Sequence, residues 1–220
     1  MERTIRVTGK GRLKIRPDMI RLTIKLEGRS KEYGEALELS AEQTGELKEV
    51  FERLGFDRDD LKTLSFDVDT EYESYKDKDE NRRRRLTGYS FCHRLKIEFD
   101  EDSRLLGRIL YELAHSSLSP EFRIDYTVKD TEALKNELLS RAVSDSRQKA
   151  EVLCKAAGVS LSGVEHIDYS WGEIEFVSTF MDRMAEPCMT SYNCRADYNL
   201  DVSPDDIDVY DTVTIVWSIM

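Results

Sequence analysis

Twice along this 220-residue chain, a long run with apolar residues at three- and four-residue spacing ends on a glycine, and a strand-like run begins six residues later. The first contains Tyr33, Ala36, Leu37, Thr44, Leu47, Val50, Phe51 and Leu54 before Gly55, with Leu61 to follow. The second contains Leu134, Leu138, Ala142, Ala150, Leu153 and Ala157 before Gly158, with Val164 to follow. Such spacing predicts an amphipathic helix, and a terminal glycine supplies the left-handed residue that stops it. Ser30 is the candidate N-cap of the first helix, and Asp130 or Thr131 of the second. A helix with one apolar stripe must cover a sheet with one apolar face. The chain is therefore expected to be α+β, two β-α-β-β units whose antiparallel or mixed sheets pack against long amphipathic helices.

Strict alternation marks the strands around these helices. Leu13 and Ile15 alternate, Pro17-Asp18 breaks the run, and Ile20, Leu22, Ile24 and Leu26 resume it. Leu61, Leu64, Phe66 and Val68 face a partner run from Leu86 to Phe99 across a charged hairpin tip. A short helix is expected from Asp102 to Ala114, then strands through Phe122–Val128, Val164–Tyr169 and Val209–Ile219. The organisation is one internally duplicated domain over residues 1–220. Its first unit is 1–100 with an extra N-terminal strand, 101–118 is a linking helix, and 119–220 is a second unit with an insertion at 171–205. Gly9 and Gly11 flank Lys10, but a strand-like run follows where a phosphate loop would open a helix, so they read as a turn or bulge.

Composition narrows the function. With 40% apolar residues the chain can bury a real core, about 70% of its unfolded surface. A net charge of −11 argues against broad nucleic-acid or anionic-membrane binding, both of which need surplus lysine and arginine. No stretch approaches the roughly 20 apolar residues of a membrane span. The N-terminus, Met1-Glu2-Arg3-Thr4-Ile5-Arg6-Val7, alternates like a strand in place of an export signal, so the expected location is cytoplasmic. Cys92, Cys154, Cys188 and Cys194 lack metal-binding spacing and read as free thiols.

Several short motifs, in order, carry a resemblance. They are Val7-Thr8-Gly9-Lys10-Gly11; Arg16-Pro17-Asp18; Leu54-Gly55-Phe56 with Asp60-Leu61-Lys62-Thr63; Leu86-Thr87-Gly88-Tyr89; and Arg141 to Leu153, RAVSDSRQKAEVL, before Gly158. Together they resemble the SIMPL-domain family, which includes bacterial periplasmic immunogenic proteins and animal adaptors tied to a Pelle-like kinase. The resemblance covers nearly the whole chain. It implies an α+β fold with long helices, homo-oligomers that are ring-like or channel-like in some relatives, and no established catalytic residues. Two departures stand out: many relatives carry an export signal, and residues 171–205 follow no family pattern.

The candidate chemistry is sparse. A cysteine nucleophile needs a histidine base, and His93 adjoins Cys92, but neighbours in a strand point to opposite faces. Cys188 and Cys194 with His166 or Asp182 lack zinc-site spacing, and Asp59-Asp60 and Asp205-Asp206 are expected doublets among 44 acidic residues. No catalytic residue, metal or cofactor is assigned. Arg82, Arg83, Arg84 and Arg85 at the hairpin tip form the sharpest local feature, a candidate contact for an anion or partner with no aromatic interleaved in sequence. Trp171, Phe176, Phe180, Met181 and Met184 form an apolar set within the insertion, a candidate subunit contact. The expected function is a non-enzymatic, self-assembling scaffold or protein-interaction protein that binds itself or another protein. The alternative is an anion- or RNA-binding module using Arg82–Arg85.

Overall fold

The computed structural model describes residues 3–76, 81–118, 120–169, 174–178 and 204–220. The protein is α+β, with two antiparallel sheets and three helices among the described residues. In chain order the elements are β1 (Thr4–Ile15), β2 (Met19–Ser30), α1 (Tyr33–Arg53), β3 (Lys62–Lys76), β4 (Arg82–Asp100), α2 (Ser103–His115), β5 (Glu121–Thr127), α3 (Thr131–Ala157), β6 (Leu161–Asp168), β7 (Val177–Ser178) and β8 (Ile207–Ile219). They form two compact units.

One unit joins the two ends of the chain. It contains residues up to Asp18, the stretch from Tyr126 through β7, and Pro204–Met220. Its sheet has the order β1-β8-β6, with β8 central and antiparallel to both neighbours. β1 therefore pairs with the last described strand, from Thr4 opposite Ser218 to Ile15 opposite Ile207, although in sequence its neighbour is β2. Alternation puts Val7, Leu13, Val209, Val213, Ile215 and Trp217 on the buried face, under α3. Asp130 caps α3 by accepting from the N–H of Ala133 at 2.8 Å, and Gly158 ends it at φ 71°.

Gly9 and Gly11 lie in mid-strand, where the sequence suggests a turn or bulge. Their role is close approach. A Cβ on Gly9 would sit 1.9 Å from the carbonyl oxygen of Ala142, and one on Gly11 would sit 2.0 Å from that of Leu138. Only hydrogen there lets α3 lie directly on β1.

The other unit is described over Met19–Asp125. Its strands run β3-β4-β2 and then the first part of β5; the last two residues of β5, Tyr126 and Thr127, belong to the first unit and pair with β7. Ile20, Leu22, Ile24 and Leu26 of β2 and Phe91, Leu95, Ile97 and Phe99 of β4 make the buried face. Ala36, Leu47, Val50 and Phe51 of α1 cover it; α2 lies beside α1, with Leu106, Ile109, Leu110 and Leu113 buried. α1 differs from expectation at its start: Glu32 is the N-cap residue without a side-chain bond, while Ser30 closes β2 and its hydroxyl binds Glu35. α1 is left through Gly55 at φ 96°. Asp102 caps α2 through the N–H groups of Arg104 and Leu105.

Candidate functional site

β2 accompanies β4 only from Tyr89 to Asp100. Before Tyr89, β4 has β3 alone as a neighbour among the described residues, so Glu71–Lys76 and Arg82–Gly88 form a two-stranded ribbon extending past the described rest of the sheet. Six residues of strand give it a length of about 20 Å. At its root Gly88 is pressed against the end of β2, where an added Cβ would lie 2.4 Å from the carbonyl oxygen of Ser30. A bulge between Glu71 and Tyr72 falls at Thr87, whose hydroxyl donates to the Glu71 carbonyl at 3.1 Å. Bulges of this kind tighten the twist of a ribbon.

Arg82, Arg83, Arg84 and Arg85 are exposed and lie within strand β4; residues 77–80 of the expected tip are outside the described residues. Directly opposed residues share a face. One face carries Glu73 with Arg85 and Tyr75 with Arg83; the other carries Tyr72 with Leu86, Ser74 with Arg84, and Arg82 beyond. Arg85 pairs with Glu73 at 2.9 Å and lies 5.9 Å from the centre of the Tyr75 ring. Tyr72, Tyr75 and Leu86 remain 55%, 42% and 46% exposed. The aromatic side chains absent from the arginine run in sequence thus come from the opposite strand, a placement recoverable only once the register is known.

The other candidates are scattered. Cys92 shares a face of the sheet with its cross-strand neighbours Glu27 and Asp67, whereas His93 is buried on the face toward α1. His93 Nδ1 lies 3.0 Å from Thr44 Oγ1, and Nε2 lies 2.9 Å from Thr63 Oγ1, with the Phe66 ring against it. Since the Thr44 hydroxyl donates to the Ser40 carbonyl at 2.7 Å, its one proton is committed, and His93 Nδ1 must be the N–H donor. Burial first and the nearby Lys48 second lower the imidazole's pKa, favouring the neutral ring.

Asp60 accepts the Asp57 N–H in a turn, and Asp205 accepts that of Asp206. Among the described residues no cluster of histidine, cysteine and carboxylates could hold a metal. Cys188, Cys194 and Asp182 lie outside the described residues, as do Trp171, Phe180, Met181 and Met184. Phe176 is 3% exposed and packs with Leu13, Val128, Leu138, Ile207 and Val209 in the core of its own unit. Among the described residues no helix is long and apolar enough to cross a membrane.

Sequence reasoning missed what the RAVSDSR motif does. Arg141 Nη1 donates to the Arg12 carbonyl at 3.0 Å, the Lys10 N–H donates to Asp145 at 2.7 Å, and Lys149 Nζ donates to the Thr8 carbonyl at 3.3 Å. These backbone groups point away from β8, along the edge of β1 that no other described strand covers. One helical step of four residues rises about 6 Å and two strand residues about 6.6 Å, so the two ladders stay in step. The signal available in sequence was charged residues four apart beside a glycine-punctuated strand.

Comparison with known proteins gives these features a context. A family model named SIMPL, described as a protein of unknown function, matches residues 5–217. The 26 kDa periplasmic immunogenic protein of Brucella abortus is 29% identical over 163 residues, which cover 74% of this chain and 65% of the relative. Its counterpart in Brucella melitensis is 28% identical over the same shares. The match thus spans less than two thirds of these relatives' length. A solved structure of an uncharacterized conserved protein from Listeria innocua aligns over 96% of this chain and 92% of its own at 8% identity, with a TM-score of 0.22. The cytoplasmic expectation is overturned by the two relatives, both named as periplasmic. The alternating N-terminus on which it rested is strand β1, a matter of folding with no bearing on compartment.

Proposed function

The chain belongs to the SIMPL family, and from that membership we propose that it is a non-enzymatic, self-assembling interaction protein of the periplasm, acting through the β3–β4 ribbon. The observation that carries this reading is the ribbon itself. A two-stranded hairpin is marginally stable alone in water, and this one displays tyrosines and a leucine on its two faces with no third strand beside it among the described residues. Exposed aromatic rings with arginines make up the composition of interaction hot spots. The test is solution mass by light scattering after size exclusion. The intact chain is compared with a variant in which residues 72–86 are replaced by a short turn. Loss of a stable oligomer on trimming supports the reading; a monomer at every concentration of the intact chain overturns it.

A second reading, capture of an anionic polymer such as RNA, is favoured by the cross-strand placement of Tyr75 opposite Arg83. That pairing offers a stacking surface beside a cation. Replacing Arg82 through Arg85 by serine separates the two: retained assembly with lost RNA retention would favour the polymer.

A further inference from the structure

We propose that the ribbon's arginines dock on the outer face of α1 in a second copy of this chain, an inference that rests on the self-assembly reading and names its contact. α1 presents Glu35, Glu38, Glu42, Glu49 and Glu52 to solvent at three-, four- and seven-residue intervals, a single acidic stripe along the helix. Glu35 is engaged by the Ser30 hydroxyl and Glu52 by Arg58 at 2.9 Å; Glu38, Glu42 and Glu49 occupy the stretch between them. Glu38 to Glu52 spans about 21 Å, close to the roughly 20 Å of the ribbon. Arg82 and Arg84, alternate residues on one face, stand about 6.6 Å apart, and Glu38 and Glu42, one turn apart, about 6 Å.

A ribbon cannot reach the stripe of its own chain. α1 begins at the ribbon's root, where the Tyr33 and Tyr89 rings meet at 5.6 Å, and runs back along the sheet to its far end, where Phe51 contacts Phe56 and Phe56 contacts Phe99. The ribbon extends in the opposite direction, beyond the end of β2. The acceptor must be another molecule, and a chain of net charge −11 that carries four consecutive arginines on one arm is its own complement. Single exposed ion pairs contribute little, so the contact depends on the array, with Tyr72 and Leu86 beside Arg84 adding apolar area.

The experiment uses two variants of the full chain, Arg82→Glu with Arg84→Glu, and Glu38→Arg with Glu42→Arg. All four residues are exposed, and unchanged far-ultraviolet circular dichroism and melting confirm folding. Expected at low salt is a fall of each variant alone to the mass of one 25.5 kDa chain, and recovery of the wild-type mass when the two are mixed in equal amounts. An oligomer that survives either reversal, or a loss that mixing does not restore, overturns this contact while leaving self-assembly standing. A wild-type chain that is monomeric at every concentration overturns both. Loss of the variant's retention of RNA with assembly intact would assign the arginines to an anionic polymer and also overturn the contact.

Discussion

The backbone N–H of Lys10 donates to the carboxylate of Asp145 at 2.7 Å, so a helix side chain occupies the place where a neighbouring strand would bind. Asp145 also holds Lys149 at 2.6 Å, and its carboxyl stays below the usual carboxylate range, through Lys149 first and the Lys10 N–H second. A depressed folded value means the stabilisation is present above the unfolded pKa, about 3.9, and is lost as pH falls through the folded one. Asp145→Asn is therefore expected to be less stable than wild type at pH 7. The difference should shrink as pH falls below the unfolded value and vanish below the folded one, as read by urea unfolding at several pH values. An equal gap at low pH would sink this account.

Gly9→Ala is expected to cost about 3 kcal/mol, because its methyl group collides with main-chain atoms of α3 and one element must shift. Gly45→Ala has nothing within 4 Å of the added carbon and should be neutral or mildly stabilising, since Gly45 lies inside α1. Thermal unfolding of the pair compares the two effects.

Ser146 is fully buried, donates to the Val7 carbonyl at 3.1 Å and accepts from Trp217 Nε1 at 3.2 Å. Ser146→Ala leaves the indole N–H without that partner and should cost about 1–3 kcal/mol. In a double-mutant cycle, Trp217→Phe should cost about 1 kcal/mol less in the Ser146→Ala background than in wild type, because the orphaned donor is then absent. Additive costs would show that the bond contributes nothing.

His93 gives a prediction of the same pH sign in a higher window. Its folded pKa is lowered, so the unfolded chain binds the proton more readily, and stability should decline as pH falls from about 6.5 toward the folded value. His93→Gln should abolish that decline in urea midpoints between pH 7 and pH 5. Nitrogen-15 spectra of the imidazole should show the proton on Nδ1 at neutral pH, as the committed Thr44 hydroxyl requires.

The local grammar of the fold was legible in the sequence. Alternation marked β2 and β4, Asp130 and Gly158 bracketed α3, and Asp102 opened α2, because caps and periodicity act over a few residues. What escaped was long-range. β1 pairs with β8 across nearly the whole chain, and nothing near Gly9 or Gly11 announces that a helix more than a hundred residues later will lie against them. Ser30 had the chemistry of a cap, but β2 continues through it. The arginines were visible as a run, and Tyr72 and Tyr75 were visible as residues; only the register of β3 on β4 brings them together.

The pairing of β1 with β8 also dictates an order of events. The described strands and helices of the second unit come from one continuous stretch, Met19–Asp125, and can form as soon as that stretch has left the ribosome or a translocation pore. Among the described strands β1 emerges first, yet its ladder partner, beginning at Ile207, emerges last. β1 must therefore wait for that partner while all the residues between Ile15 and Ile207 are made. Closing that distant contact should be the slow step in maturation, and a ligand that shields an extended segment would act on this chain at its N-terminal strand before anywhere else.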